Sequence, residues 1–128
     1  KELNGSWVPL VKMAKGWNRA SSKPIKPSFL VEVMALELVE APFSNYPDEI
    51  RNLFAAMEAN MSQTWSDPSG LGPPVSDQMT PNMIASARNA LREAQRMATL
   101  ARRAEVSGRQ GDSLHIWREI LGEYFPLS

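Results

Sequence analysis

Apolar residues recur three and four positions apart in five segments of this sequence, which is the spacing of one face of an α-helix. The longest segment begins at Thr80-Pro81, a good N-cap followed by a residue that fits the first helical turn, and continues to about Val106. Within it alanine recurs every seventh residue, at Ala87, Ala94 and Ala101. Such a stripe of small residues allows a neighbouring helix to pack closely. The spacing predicts an all-α fold, a compact bundle of about five helices that forms a single domain over residues 1–128.

The other four helices are predicted from the same spacing and from the residues that interrupt it. Their expected ranges are Trp7 to Arg19 with Ser6 as N-cap, Ser28 to Ala41, Pro47 to Met61, and an Asp112 N-cap followed by residues up to Leu121. Between the first two helices lies a cationic linker, residues 21–27, whose two prolines predict an extended backbone. The second segment is rich in β-branched residues that would also suit a buried strand, but its length and its interleaved Glu32 and Glu37 favour a helix.

The composition excludes several kinds of site. The chain has no Cys and one His, so thiolate nucleophiles, disulfides and Cys-ligated zinc are excluded and a Ser-His-Asp triad is disfavoured. Fourteen basic and 14 acidic residues give a net charge of zero, but residues 1–27 carry six basic residues against one acid. No apolar stretch approaches the roughly 20 residues of a membrane span, and no signal peptide is visible. We therefore expect a cytoplasmic protein without membrane contact.

The basic first segment is the strongest candidate for a binding site. Lys12, Lys15 and Arg19 follow one face of the first helix, and Lys26 precedes Ser28 at the start of the second. A helix N-terminus presents free N–H groups and partial positive charge, and a hydroxyl there can donate to a phosphate. The pattern is compatible with a polyphosphate site formed by Lys15, Ser28 and Lys26. A solvated basic face beside an ordinary Ser28 cap explains the same residues.

The remaining candidates have simpler structural explanations. Asp48-Glu49 opens a helix, where acids favour the positive end of the dipole, and no pair of carboxylates has the spacing of a two-metal site. Trp65, in the 16-residue loop 64–79, could stack on a base, although packing of the loop onto the domain is the favoured interpretation. His115 is expected to be exposed, and the arginines of the fourth helix are expected to form a solvated face. No sequence motif for catalysis is present.

Several motifs, taken in order along the chain, resemble those of the bacterial cGAS/DncV-like nucleotidyltransferases, or CD-NTases. Residues 10–19, LVKMAKGWNR, resemble the L-x-x-x-x-K-x-W-N helix of that family, and residues 26–37, KPSFLVEVMALE, resemble the K-x-S-x-x-L-E-x-x-x-L-E helix that follows. Asp67-Pro68 with the glycines after it, an Ala-rich helix, and residues 116–126, IWREILGEYFP, match the order near the end of the family. The last motif departs from W-R-x-x-F-G-x-x-F-P at Leu121, which replaces a Phe.

The resemblance implies a definite role for this chain. It indicates the C-terminal helical domain of a two-domain enzyme, similar to the substrate-binding domains of poly(A) polymerases and oligoadenylate synthetases. By position, Lys15 and Ser28 would contact the triphosphate of a bound NTP, with Lys12, Lys26 and Asp67 as weaker candidates. Catalytic carboxylates and Mg²⁺ would belong to the absent N-terminal domain, so this chain alone would carry no catalytic residue or metal ligand and would be inactive. The parent enzyme would make cyclic or linear oligonucleotide messengers in anti-phage signalling.

Two other functions remain open from the sequence. A poly(A)-polymerase-like or CCA-adding enzyme would act on RNA, although near-neutral charge disfavours a long nucleic acid. A non-enzymatic helical module would instead use its Ala-rich helix to bind a protein partner. The chain begins with Lys1 rather than Met, from which we expect a fragment or a processed protein.

Overall fold

The structure is a computed structural model that describes residues 7–40 and 42–122. It contains five α-helices: α1 (Trp7–Ala20), α2 (Ser28–Leu38), α3 (Tyr46–Ala59), α4 (Pro81–Val106) and α5 (Gln110–Leu121). A short 3₁₀ helix, Val75–Gln78, lies in the loop before α4. Within the described ranges there is no β-strand, and none of the helices is long and apolar enough to cross a membrane. The predicted all-α bundle of five helices is confirmed.

Helices α3 and α5 lie between α4 on one side and the pair α1 and α2 on the other. Helix α4 packs on α3 and α5, whereas α1 packs on α2, α3 and α5. Trp17 of α1 contacts Phe54 of α3 with ring centroids 5.3 Å apart, and both side chains are almost completely buried. On α4 the predicted small-residue stripe is buried at Ala87, Ala94 and Ala101. The alanines therefore serve close packing of α4 against its neighbours, as the spacing predicts.

Helix α2 is a helix, but it ends earlier than the sequence predicts. The expected end was Ala41, which lies outside the described residues, and the observed end is Leu38. Val39 has an extended backbone, its N–H still donates to the Ala35 carbonyl at 3.0 Å, and its side chain is buried. Burial of Val39 therefore turns the chain into the core before Pro42 could stop the helix.

The predicted starts of the other helices are partly right. Helix α3 begins at Tyr46, where the Asn45 side chain accepts a hydrogen bond from the Asp48 N–H at 2.9 Å. Asp112 is wrong as the N-cap of α5, because that helix begins at Gln110 and Asp112 lies in its first turn. Thr80 caps α4 as predicted, accepting from the Met83 N–H at 3.2 Å. The predicted Ser6 cap of α1 and the final motif beyond Gly122 lie outside the described residues.

The linker between α1 and α2 turns sharply instead of being extended. Ser22 and Lys23 both have left-handed backbone angles, with φ of 66° and 55°. The Lys23 N–H reaches back to the Asn18 carbonyl at 2.7 Å, which ends α1 with a tight turn. Ile25 is completely buried. The prediction failed because burial of Ile25 outweighs the extended preference of residues that precede proline.

Trp65 holds the long loop onto the domain. Its side chain is only 8% exposed, and its indole N–H donates to the Asn60 carbonyl at 3.2 Å. Its backbone N–H donates to the Ser76 hydroxyl at 2.8 Å, and its carbonyl accepts from the Val75 N–H at 2.7 Å. The packing interpretation of Trp65 is therefore confirmed, and its ring is not available as an open platform for a base.

Candidate phosphate-binding surface

Lys15 lies at the edge of the contact between α1 and α2. The apolar stripe of α1 is buried at Leu10, Ala14 and Trp17, which directs the neighbouring basic face toward solvent. The Lys15 Nζ lies 3.3 Å from the Glu32 Oε2 on α2, and both side chains are 38% exposed. Lys15 is thus an accessible cation whose position is set by a carboxylate of the next helix.

Ser28 is the first residue of α2 rather than its N-cap. The N-cap is Pro27, which makes no side-chain capping bond, so the interpretation of Ser28 as an ordinary cap is wrong. Ser28 is exposed, and its hydroxyl has no hydrogen-bond partner among the residues that the structure describes. It lies one helical turn before Glu32 on the same face of α2. Ser28, Glu32 and Lys15 therefore share one surface, which we call the α1–α2 face.

The Asn18 side chain ties α1 to the linker that leads into α2, and the sequence predicted no role for it. It is 1% exposed; its side-chain amide donates to the Ile25 carbonyl at 2.9 Å and its oxygen accepts from the Ile25 N–H at 3.0 Å. The bonds fold the linker back onto α1, and from this linker α2 continues to the Lys15–Glu32 pair. Asn18 follows Trp17 in the W-N motif, and this adjacency of a core residue and an amide is the signal that could have indicated its role.

Two weaker candidates lie close to the α1–α2 face in sequence. Lys12 is exposed and precedes Lys15 by three residues on α1, which puts it on a neighbouring part of the same helix surface. Lys26 is also exposed, and its backbone N–H points to the Met79 sulfur at 3.4 Å. Lys12 is thus an exposed cation within three residues of Lys15, and Lys26 is one within two residues of Ser28.

Asp67 lies at the other end of α2. It borders a groove of about 590 Å³ whose α2 wall is formed by Val33, Leu36 and Glu37. Leu36 is eight residues beyond Ser28, which corresponds to about 12 Å along the helix. The Asp67 Oδ1 accepts from the N–H and the hydroxyl of Ser69, both at 2.9 Å. Asp67 thus organises its own turn and is not brought into contact with Lys15.

The exposed face of α2 between these two ends is partly apolar. Phe29 is 46% exposed and Leu36 is 37% exposed, and they lie seven residues apart on one side of the helix. The remaining apolar residues of α2 are largely buried in the core. The α1–α2 face therefore combines cations, the exposed Ser28 hydroxyl and two large apolar side chains.

The described residues do not fit a metal centre. Within residues 7–40 and 42–122, no three His, Asp or Glu side chains are grouped closely enough to hold a metal ion. Asp48 pairs with Arg51 and Arg102 at 3.7 and 3.4 Å, and Glu49 accepts from the N–H and hydroxyl of Ser44. These acids serve the start of α3 and its contact with α4.

The remaining charged candidates are engaged in local pairs. His115 is exposed and its Nε2 lies 3.0 Å from the Glu119 Oε1. On α4, Arg92 pairs with Glu58, Arg96 with Glu93, and Arg102 with Glu105. Three of the five arginines of α4 are thus in ion pairs, and the interspersed acids offset part of the charge of this face.

Comparison with known proteins supports a distant relationship to nucleotide-joining enzymes. No protein-family model matches the chain. Over 139 aligned positions it is 27% identical to the cyclic AMP-AMP-AMP synthase of Acinetobacter sp. (strain ATCC 27244 / 9458). The alignment covers the whole of this chain but only 39% of the length of the synthase. The similarity agrees with the cGAS/DncV-like motifs at the level of a distant relationship.

Proposed function

We propose that this chain is the NTP-binding helical domain of a nucleotidyltransferase that makes cyclic or linear oligonucleotide messengers. The observation that carries the proposal is that Lys15 and Ser28 lie on the same face. Lys15 pairs with Glu32, and Glu32 lies one helical turn after Ser28 on α2. The similarity to a cyclic AMP-AMP-AMP synthase supports the reaction class. We place the enzyme in the cytoplasm, in anti-phage signalling.

The two residues would act on the phosphates of the nucleotide. The Lys15 ammonium would offset the charge of the β- and γ-phosphates. The Ser28 hydroxyl and the backbone N–H groups of Ser28 and Phe29 at the start of α2 would donate hydrogen bonds to their oxygens. When a ribose hydroxyl attacks the α-phosphorus, pyrophosphate leaves with additional negative charge. Donors that already point at this group would stabilise the transition state more than the ground state.

The rest of the active site would lie outside this chain. We place the catalytic carboxylates and Mg²⁺ on a second domain, as the resemblance to the CD-NTases implies. The partial coverage of the synthase, 39% of its length, is compatible with such a second domain. The exposed Phe29 and Leu36 would then contact that domain across the nucleotide. This chain alone would be inactive.

The test is product identification with the complete gene product that contains this chain. The protein is incubated with each labelled pair of NTPs and Mg²⁺, and products are separated by chromatography. Short cyclic or linear oligonucleotides formed without a primer support the proposal. Extension of added RNA would instead indicate a poly(A)-polymerase-like or CCA-adding enzyme. Absence of any nucleotide incorporation would reject the enzyme and leave the helical interaction module.

A further inference from the structure

We propose that Glu32 is the intramolecular counter-ion of Lys15, and that a triphosphate binds by replacing the Glu32 carboxylate at the Lys15 ammonium. This inference rests on the proposed function. Its structural basis is the 3.3 Å approach of the Lys15 Nζ to the Glu32 Oε2, across the contact between α1 and α2. Glu32 also lies one turn after Ser28, so a phosphate between Ser28 and Lys15 would occupy the neighbourhood of this carboxylate.

The exposure of the pair makes the replacement energetically accessible. Both side chains are 38% exposed, so the ion pair is screened by solvent and contributes little to stability. A triphosphate carries several negative charges and accepts hydrogen bonds from Ser28 and the first turn of α2, so it can compete with a single carboxylate. The Glu32 side chain can then rotate into solvent, because its contact with Lys15 is at the domain surface.

Glu32 would thereby have two opposite effects on the site. It holds the flexible Lys15 side chain in place before the nucleotide arrives, which lowers the entropy cost of ordering this side chain on binding. It also repels the incoming phosphates, which lowers affinity. We infer that the repulsion dominates at the binding step, since the carboxylate lies near both proposed phosphate ligands. Glu32 is thus a positioning residue that limits nucleotide affinity and assists nucleotide release.

The experiment measures binding of inorganic tripolyphosphate and of ATP to the complete gene product by calorimetry. Tripolyphosphate has no nucleoside and cannot react, so its dissociation constant reports on the phosphate site alone. Glu32→Gln keeps the shape of the side chain and removes its charge. We expect this variant to bind tripolyphosphate about three- to tenfold more tightly, equivalent to roughly 1 kcal/mol. The matched control is Glu93→Gln on α4, which removes a carboxylate paired with Arg96 and is expected to leave binding unchanged.

A double-mutant cycle with Lys15→Ala separates exchange at Lys15 from simple repulsion. If Glu32 acts as the counter-ion of Lys15, the gain from Glu32→Gln will be larger when Lys15 is present. An equal gain in both backgrounds, or no gain in the wild-type background, would overturn this inference while the proposed function stands. If Lys15→Ala itself leaves the affinity for both ligands unchanged, the proposed function fails first. ATP is included because a gain seen with ATP but not with tripolyphosphate would place the effect at the nucleoside and reject the exchange.

Discussion

At the scale of single residues, Asn18 is a buried polar side chain whose hydrogen bonds hold the linker onto α1. It is one of two buried polar residues within residues 7–40 and 42–122, and its amide satisfies both the N–H and the carbonyl of Ile25. Buried backbone groups that lose their partners cost about 1–3 kcal/mol each. The geometry of the α1–α2 face therefore depends on a residue that would contact no nucleotide.

We expect Asn18→Ala to lower the free energy of unfolding by about 2–4 kcal/mol, because both backbone groups of Ile25 lose their partners and a cavity remains. Urea denaturation followed by circular dichroism measures the change. Asn82→Ala, at an exposed position in the first turn of α4, is the control and should stay within about 0.5 kcal/mol of the wild type. A loss for Asn18→Ala as small as the control would refute the structural role of this amide.

Ser28 gives the opposite expectation, since its hydroxyl makes no hydrogen bond within the described part of the chain. Ser28→Ala should leave the unfolding free energy within about 0.5 kcal/mol, because alanine is also a good helix former. Its affinity for tripolyphosphate should fall roughly threefold to tenfold, the loss of one hydrogen bond to a charged group. Scanning calorimetry measures the change in stability, and titration calorimetry on the same samples measures the change in affinity. Unchanged affinity would mean that the hydroxyl does not contact phosphate.

At the scale of helices, α3 and α4 are joined by a small polar network around Glu58. Gln95 donates to its Oε1 at 2.7 Å, and Arg92 donates to its Oε2 at 3.0 and 2.7 Å. These contacts lower the pKa of Glu58 from its ordinary value; the hydrogen bond from Gln95 is the largest cause, and burial opposes it. The carboxylate therefore stabilises the fold while it is ionised.

The lowered pKa of Glu58 determines the direction in which its contribution to folding stability changes with pH. Because this pKa is lowered in the folded state, the stabilisation is fully present above the unfolded value of 4.5 and is lost as pH falls through the folded pKa. We expect Glu58→Gln to cost about 1 kcal/mol at pH 7 and progressively less as the pH falls below that value. Denaturation of both proteins across this pH range measures the difference. A cost that does not change with pH would show that the charge of Glu58 is irrelevant.

The small residues of α4 predict a second effect at this scale. Ala98 is 1% exposed and lies one turn after the buried Ala94 of α4, whereas Ala85 on the same helix is exposed. Ala98→Leu adds volume to a closely packed contact and should cost about 1–3 kcal/mol. Ala85→Leu should change stability by less than about 0.5 kcal/mol. Urea denaturation compares the two, and equal effects would mean that close approach of the helices does not require the alanines.

At the scale of the whole molecule, the sequence predicts the helices well and their connections poorly. Helical spacing and the Thr80-Pro81 start gave the number and order of the helices because amphipathic periodicity is a local property. The early end of α2 and the tight turn before it depend on burial of Val39 and Ile25, which are tertiary effects. Lys15 and Ser28 could be selected as candidates by charge and motif. The contact of Lys15 with Glu32 could not be predicted, because it depends on how α1 and α2 pack.

The distribution of charge is also clearer on the folded molecule. The net charge of zero arises from a cationic first segment, an acidic middle and an arginine-bearing α4 whose charges are mostly paired. For the proposed site, the small number of basic residues near Ser28 favours a small anionic ligand over a long polyanion, whose binding needs many cations along its path.

The most direct test of this account is the effect of Lys15→Ala on messenger synthesis by the complete gene product with labelled NTPs and Mg²⁺. We predict a fall in kcat/KM of roughly 10²-fold, since a charged donor to the triphosphate is lost, with an unchanged unfolding transition. The control, Arg96→Ala, removes one positive charge from an exposed position on α4 and should retain wild-type turnover. If Lys15→Ala retains wild-type turnover and NTP affinity, the α1–α2 face does not bind the triphosphate.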